Sequence, residues 1–110
     1  MSLQGRLAEL WNQVRPLMLN RLAVLDQASA TALEGSLPNA LRLQAKKEAH
    51  KLAGSLGIFG LAAGSRMARE LEERLQRGDA LSEAEARRLS ELTAALRLEV
   101  ELGQPPEQGF

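Results

Sequence analysis

His50 is the only histidine of the chain, and it stands in the run Ala49-His50-Lys51-Leu52-Ala53-Gly54-Ser55-Leu56-Gly57-Ile58-Phe59-Gly60. An imidazole is a nitrogen nucleophile that titrates near about pH 6.5, so around neutrality it largely keeps a free lone pair. If one ring nitrogen donates a hydrogen bond to a carboxylate, the other is fixed as the unprotonated, attacking atom. Nearby ammonium groups suit a transferred phosphoryl group, because they oppose its charge. Lys46 and Lys47 lie one helical turn before the histidine, with Gly54 one turn and Gly57 two turns after it. Glycine within a helix is unfavourable by about 1 kcal/mol against alanine. A partner that must bring its own backbone close to the imidazole would account for both. The plainer alternative stays open: a lone exposed histidine is most often a surface residue, and these glycines could be helix contacts or a fraying terminus.

The elements that carry these residues follow from periodicity. At roughly 100° of rotation per residue, Leu41, Ala45, Ala49, Leu52, Leu56 and Phe59 share a narrow arc, which must be the core stripe. His50 lies roughly 145° from the middle of that arc and faces solvent. Leu3, Leu7, Leu10, Trp11, Val14, Leu17, Met18, Leu22 and Leu25 recur at helical steps in a first helix running to about Leu33, with Gly35 as its stop. Pro16 is expected to kink or split it, since proline removes a backbone donor and crowds the preceding turn. Ser36 or Leu37, followed by Pro38, marks the entry to the second helix. A break near Ile58 to Leu61 precedes a third helix that runs to Arg77 and is closed by Gly78. Ser82 with Glu85 is a capping-box pattern opening a fourth, with Ala86, Leu89, Leu92, Leu96 and Val100 inward. The expected fold is all-α, an antiparallel four-helix bundle over residues 1–102. Residues 103–110 (GQPPEQGF) read as a tail or interdomain linker.

Composition narrows the function. The 110 residues make one small domain, 45% apolar, with Trp11, Phe59 and Phe110 as its aromatics. Fourteen basic and fourteen acidic residues cancel, which argues against a nucleic-acid binder. One histidine, no cysteine and no convergent carboxylate pair leave nothing for a metal or hydrolytic site. No stretch approaches a membrane span and no signal peptide is evident, so a soluble cytoplasmic domain is expected.

The stretch from Ala49 to Leu61, with Leu71-Glu72 further on, resembles the histidine phosphotransfer (Hpt) domain. That family's pattern is a histidine, a lysine three residues on, a glycine four on, often glycines seven and ten on, and later a Leu/Met-Glu pair. The Gly-Ile-Phe-Gly segment is most similar to members in chemotaxis kinases and multidomain response regulators. The resemblance implies a phosphorelay intermediate. His50 would accept a phosphoryl group from a receiver-domain aspartate or a histidine kinase and pass it to another receiver. Glu72 would orient the imidazole through its far ring nitrogen. Gly54 and Gly57, with the surrounding apolar surface that includes Leu43, would form the docking patch. The chain departs from the pattern at Ala53, where the lysine is usual. Lys46, Lys47 or Arg69 could substitute as phosphate- or partner-facing cations, whereas Lys51, about 100° round the helix, is less well aimed. With no nucleotide motif, the domain would be a phosphoryl carrier rather than an enzyme. It would need no cofactor of its own, the divalent metal being expected on the receiver. Membership of a larger multidomain signalling protein is the expectation. The competing possibility, which Ala53 favours, is a non-catalytic protein-interaction module with a degenerate phosphotransfer site.

Overall fold

In the computed structural model, which describes residues 2–77 and 81–106, the helical period resolves into four helices. They are α1 (Leu3–Leu33), α2 (Asn39–Ile58), α3 (Ala62–Gln76) and α4 (Glu83–Leu102). Each packs against its neighbours in the order α1–α2–α3–α4–α1, and among the described residues no Cα atoms of the diagonal pairs come within 8 Å. Short connections and cyclic contacts define an antiparallel four-helix bundle. Its long dimension is 50 Å. α1 alone, with 31 residues, accounts for about 46 Å of that at 1.5 Å per residue. No helix among the described residues is long and apolar enough to cross a membrane.

The core is the set of side chains at helical spacing. Leu22 and Leu25, Leu52 and Leu56, Leu71 and Leu75, and Leu89, Leu96 and Val100 are fully buried, one group from each helix. On α2 the stripe comes out as Ala45, Ala49, Leu52 and Leu56 buried, with Leu41 and Phe59 half-buried against them. Burying that stripe fixes the rotation of α2 and turns the opposite face outward.

Pro16 does not split the first helix; α1 continues through it. Pro16 and Asn12, whose carbonyl loses its usual partner, both lie on the exposed side, where water can serve the carbonyl. Buried Trp11 and Met18 on either side hold the two halves against the bundle. The helix ends elsewhere follow local chemistry. Ser2 and Ser82 cap α1 and α4, accepting from Gly5 N–H at 3.0 Å and Glu85 N–H at 3.1 Å. Gly35, at φ 106°, ends α1. The capping box at α4 is one-sided, because Arg74 takes the Glu85 carboxylate at 2.9 and 3.0 Å. The stop expected at Gly78 and the tail beyond residue 106 lie outside the described residues. Gly103, read as the first tail residue, is held to the bundle: Trp11 Nε1 and Arg15 Nη2 donate to its carbonyl at 2.9 and 3.2 Å.

Polar links tie the helices at their edges. Arg21 pairs with Glu48 between α1 and α2 at 2.9 Å, and Arg97 with Asp26 between α4 and α1. Arg42 of α2 donates to the Leu75 carbonyl at 2.6 Å, capping the end of α3. Arg88 and Arg74 both bond Glu70, and these hydrogen bonds hold its carboxyl below the usual carboxylate range.

Candidate functional site

With α2 rotated by its core stripe, the His50 side chain is left 74% exposed. The turn that follows brings α3 alongside. Gly60, at φ 76°, occupies the left-handed position that lets the chain reverse. The Leu61 N–H then bonds the Leu56 carbonyl at 2.9 Å, and the Gly60 N–H bonds that of Gly57 at 3.1 Å. This is a Schellman closure, with Leu56 and Leu61 both buried beside it. Gly64 then allows close approach, since a Cβ there would come within 3.2 Å of Leu56 Cδ1.

Two bonds mark the register of α3 on α2. Ser65, buried, donates its hydroxyl to the Ala53 carbonyl at 2.8 Å. Farther along, His50 Nδ1 stands 2.9 Å from Glu72 Oε2. A neutral ring in that contact donates from Nδ1–H to the carboxylate, which leaves the Nε2 lone pair on the opposite edge of an exposed ring. Glu72 is itself three-quarters buried, so its oxygen is a fixed acceptor rather than a mobile surface charge.

Leu43, Lys46, Lys47, His50 and Glu72 line one open depression along the α2–α3 seam. The expected cations thus separate. Lys46 and Lys47 share the depression with the imidazole, whereas Lys51 reaches toward Glu48 on the α1 side, at 3.9 Å. Arg69 is exposed on α3, one turn before Glu72 and outside the depression's lining. Gly54 and Gly57 are both exposed. A Cβ at Gly54 would meet nothing within 4 Å, and one at Gly57 only Ser65 Oγ at an ordinary 3.5 Å. Packing inside the bundle therefore requires neither glycine. Ala53 is buried, 4% exposed. Among the described residues no three His, Asp or Glu side chains gather as a metal cluster. The feature that sequence reasoning understated is Ser65: a small polar residue on the α2-facing flank of α3, it turns out to be a buried clasp.

The arrangement is a solvent-facing imidazole bonded at Nδ1 to a largely buried carboxylate, with cations at one side and bare backbone at the other. Residues 9–102 match the family model described as Hpt domain. The chain is also 34% identical over 95 residues to Protein RcaC of Microchaete diplosiphon, an alignment covering 86% of this chain and 15% of that protein. The chain thus spans well under a fifth of the relative's length. No solved structure gives a significant match. Fold, site geometry and a match over most of the chain agree, and the chain belongs to the Hpt domain family, with the phosphorelay role that membership carries.

Proposed function

We propose that this domain carries a phosphoryl group on His50 Nε2, receiving it from the aspartyl phosphate of a receiver domain and passing it to another. The observation that carries the reading is the 2.9 Å contact between His50 Nδ1 and Glu72, on a ring otherwise open to solvent. In the forward step the Nε2 lone pair attacks phosphorus, the N–P bond forms, and the acyl P–O bond breaks. The aspartate leaves as carboxylate, and the ring keeps its Nδ1 proton and becomes a phosphoimidazolium. Its new positive charge develops against Glu72, which stabilises it without moving a proton. Lys46 and Lys47 oppose the charge of the phosphoryl oxygens. The divalent metal belongs to the receiver in this scheme, and a histidine kinase is the other candidate donor. We place the domain in the cytoplasm as one module of a larger signalling protein.

The test is incubation with a receiver phosphorylated on its aspartate. The expected result is label on this domain that is labile in acid and stable in base, as a phosphoramidate linkage is. Absence of label, or label that survives acid, overturns the reading. A second reading, a binding module without chemistry, draws on Ala53, which stands where the family's pattern has a lysine three residues after the histidine. It predicts receiver binding with no label.

The exposed glycines give a prediction of opposite signs. Gly54→Ala is expected to raise stability by about 0.5–1 kcal/mol through helix propensity. It is also expected to slow transfer from the receiver about fivefold, the equivalent of about 1 kcal/mol of lost docking. Thermal melts and transfer kinetics on the same preparation measure both. A stabilised variant with unchanged transfer would show that the bare backbone serves no partner.

A further inference from the structure

We infer that Arg69 supplies, from α3, the cation that faces the phosphoryl group on the side of His50 where α2 offers none. The inference rests on the phosphoryl-carrier reading and concerns how the site holds the charge. A phosphoryl group on Nε2 stands outside the ring and carries up to two negative charges. On the N-terminal side of His50, Lys46 and Lys47 line the depression. On the C-terminal side, α2 presents buried Ala53 and the side-chain-free Gly54 and Gly57, while Lys51 is drawn toward Glu48. Along α2 the site is therefore cationic at one end and uncharged at the other.

The neighbouring helix fills that end. The bonds Ala53–Ser65 and His50–Glu72 run antiparallel, so the residue of α3 between Ser65 and Glu72 on the same flank lies level with the stretch of α2 between His50 and Ala53. That residue is Arg69. Helical rotation puts it about 40° from Ser65 and about 60° from Glu72, toward solvent, the side on which His50 also stands. Its guanidinium is exposed and makes no ion pair with the described residues, although acidic Glu70, Glu72 and Glu73 are close in sequence. Most other arginines of the bundle are engaged, Arg21, Arg42, Arg74, Arg88 and Arg97 among them. A planar guanidinium with its donors uncommitted is suited to grip two phosphoryl oxygens at once. With the lysines on the far side, the phosphoryl group would sit between two helices rather than on one.

The experiment uses phosphoramidate as donor, so that receiver docking does not enter the readout. Nε2 attacks phosphorus, the donor's P–N bond breaks, and ammonia leaves with its own protons. Wild type is expected to become labelled on His50. Arg69→Ala is expected to label about tenfold more slowly, the size of one lost charge-assisted contact, with an unchanged melting temperature. Arg69→Lys should recover part of the rate. Labelling of Arg69→Ala should also slow less steeply with ionic strength than wild type, because one attraction open to screening is gone. Wild-type rate and salt slope in Arg69→Ala, or no recovery in Arg69→Lys, overturns the role of Arg69 and leaves the carrier reading standing. A wild-type domain unlabelled by both phosphoramidate and phosphorylated receiver overturns the carrier reading and this inference with it.

Discussion

His50→Gln is expected to reduce phosphoryl uptake to background, while the variant's melting temperature stays within the scatter of wild type. The two halves of that result have separate physical causes. A carboxamide nitrogen has its lone pair delocalised into the carbonyl and cannot attack phosphorus, so the loss is one of chemistry rather than of rate tuning. The fold, by contrast, hardly uses the ring. The side chain is 74% exposed, and its hydrogen bond goes to a carboxylate that water can reach. Glutamine is at least as good a helix former, and exposed substitutions of this kind usually stay within about 0.5 kcal/mol. The measurement is labelled-phosphate transfer beside a thermal melt on one preparation. Equal labelling of both proteins would move the acceptor elsewhere. With no second histidine and no cysteine in the chain, the acceptor would then be a side-chain oxygen or a lysine or arginine nitrogen. Acid stability of the label would identify a hydroxyl ester, and mapping the labelled peptide would identify the residue.

Several parts of this architecture are legible in the sequence because they are local. The outward rotation of His50 follows from Ala45, Ala49, Leu52 and Leu56, four small or apolar residues whose burial leaves one angle for α2. The ends at Gly35 and Ser82 are equally local, each decided by the chemistry of one residue and its near neighbours. Pro16 is where local reasoning leaves two outcomes, and the helix is not split. Its penalty is real, but its weight depends on whether the freed Asn12 carbonyl is buried, and only the packed bundle decides that. The Glu85 carboxylate is similar: the pattern Ser82–Glu85 offers it a backbone N–H, and Arg74, eleven residues away on another helix, takes it instead. The pairing of His50 with Glu72 spans 22 residues and depends on the Gly60 turn and the register of α3. Periodicity alone cannot provide it, and family resemblance did. Lys51 parts from Lys46 and Lys47 as its rotation of about 100° from His50 implies, reaching toward Glu48 while they line the depression.

Trp11→Ala is expected to lower stability by about 3–5 kcal/mol, the range for deleting a buried aromatic side chain. That is a large share of the 5–15 kcal/mol or so that holds a typical domain together. Trp11 is fully buried, and its indole ring lies 5.3 Å from that of Phe59. It also meets the end of α4, where the last carbonyls lack helical partners. Nε1 donates to the Gly103 carbonyl at 2.9 Å, while Arg15, 5.4 Å from the ring, donates to Val100 and Gly103 at 3.1 and 3.2 Å. One side chain thus joins α1, the end of α4 and the residue that caps α2. Trp11→Phe separates the contributions. It keeps most of the buried ring, and the Gly103 carbonyl retains Arg15, so its loss should be about 1 kcal/mol, the net value of one hydrogen bond. Urea unfolding of the three proteins gives the comparison, and a loss below about 1 kcal/mol in Trp11→Ala would mean the neighbouring helices collapse into the space. Function should divide from stability here. His50 lies nine residues before Phe59, roughly 14 Å along α2 at 1.5 Å per residue. The contacts that fix its register, at Ser65 and Glu72, do not involve the indole. Phosphoryl uptake per folded molecule should therefore survive in both variants. A Trp11→Phe domain that folds normally yet labels poorly would show that the α2–α3 turn transmits strain from this end of the bundle to the imidazole.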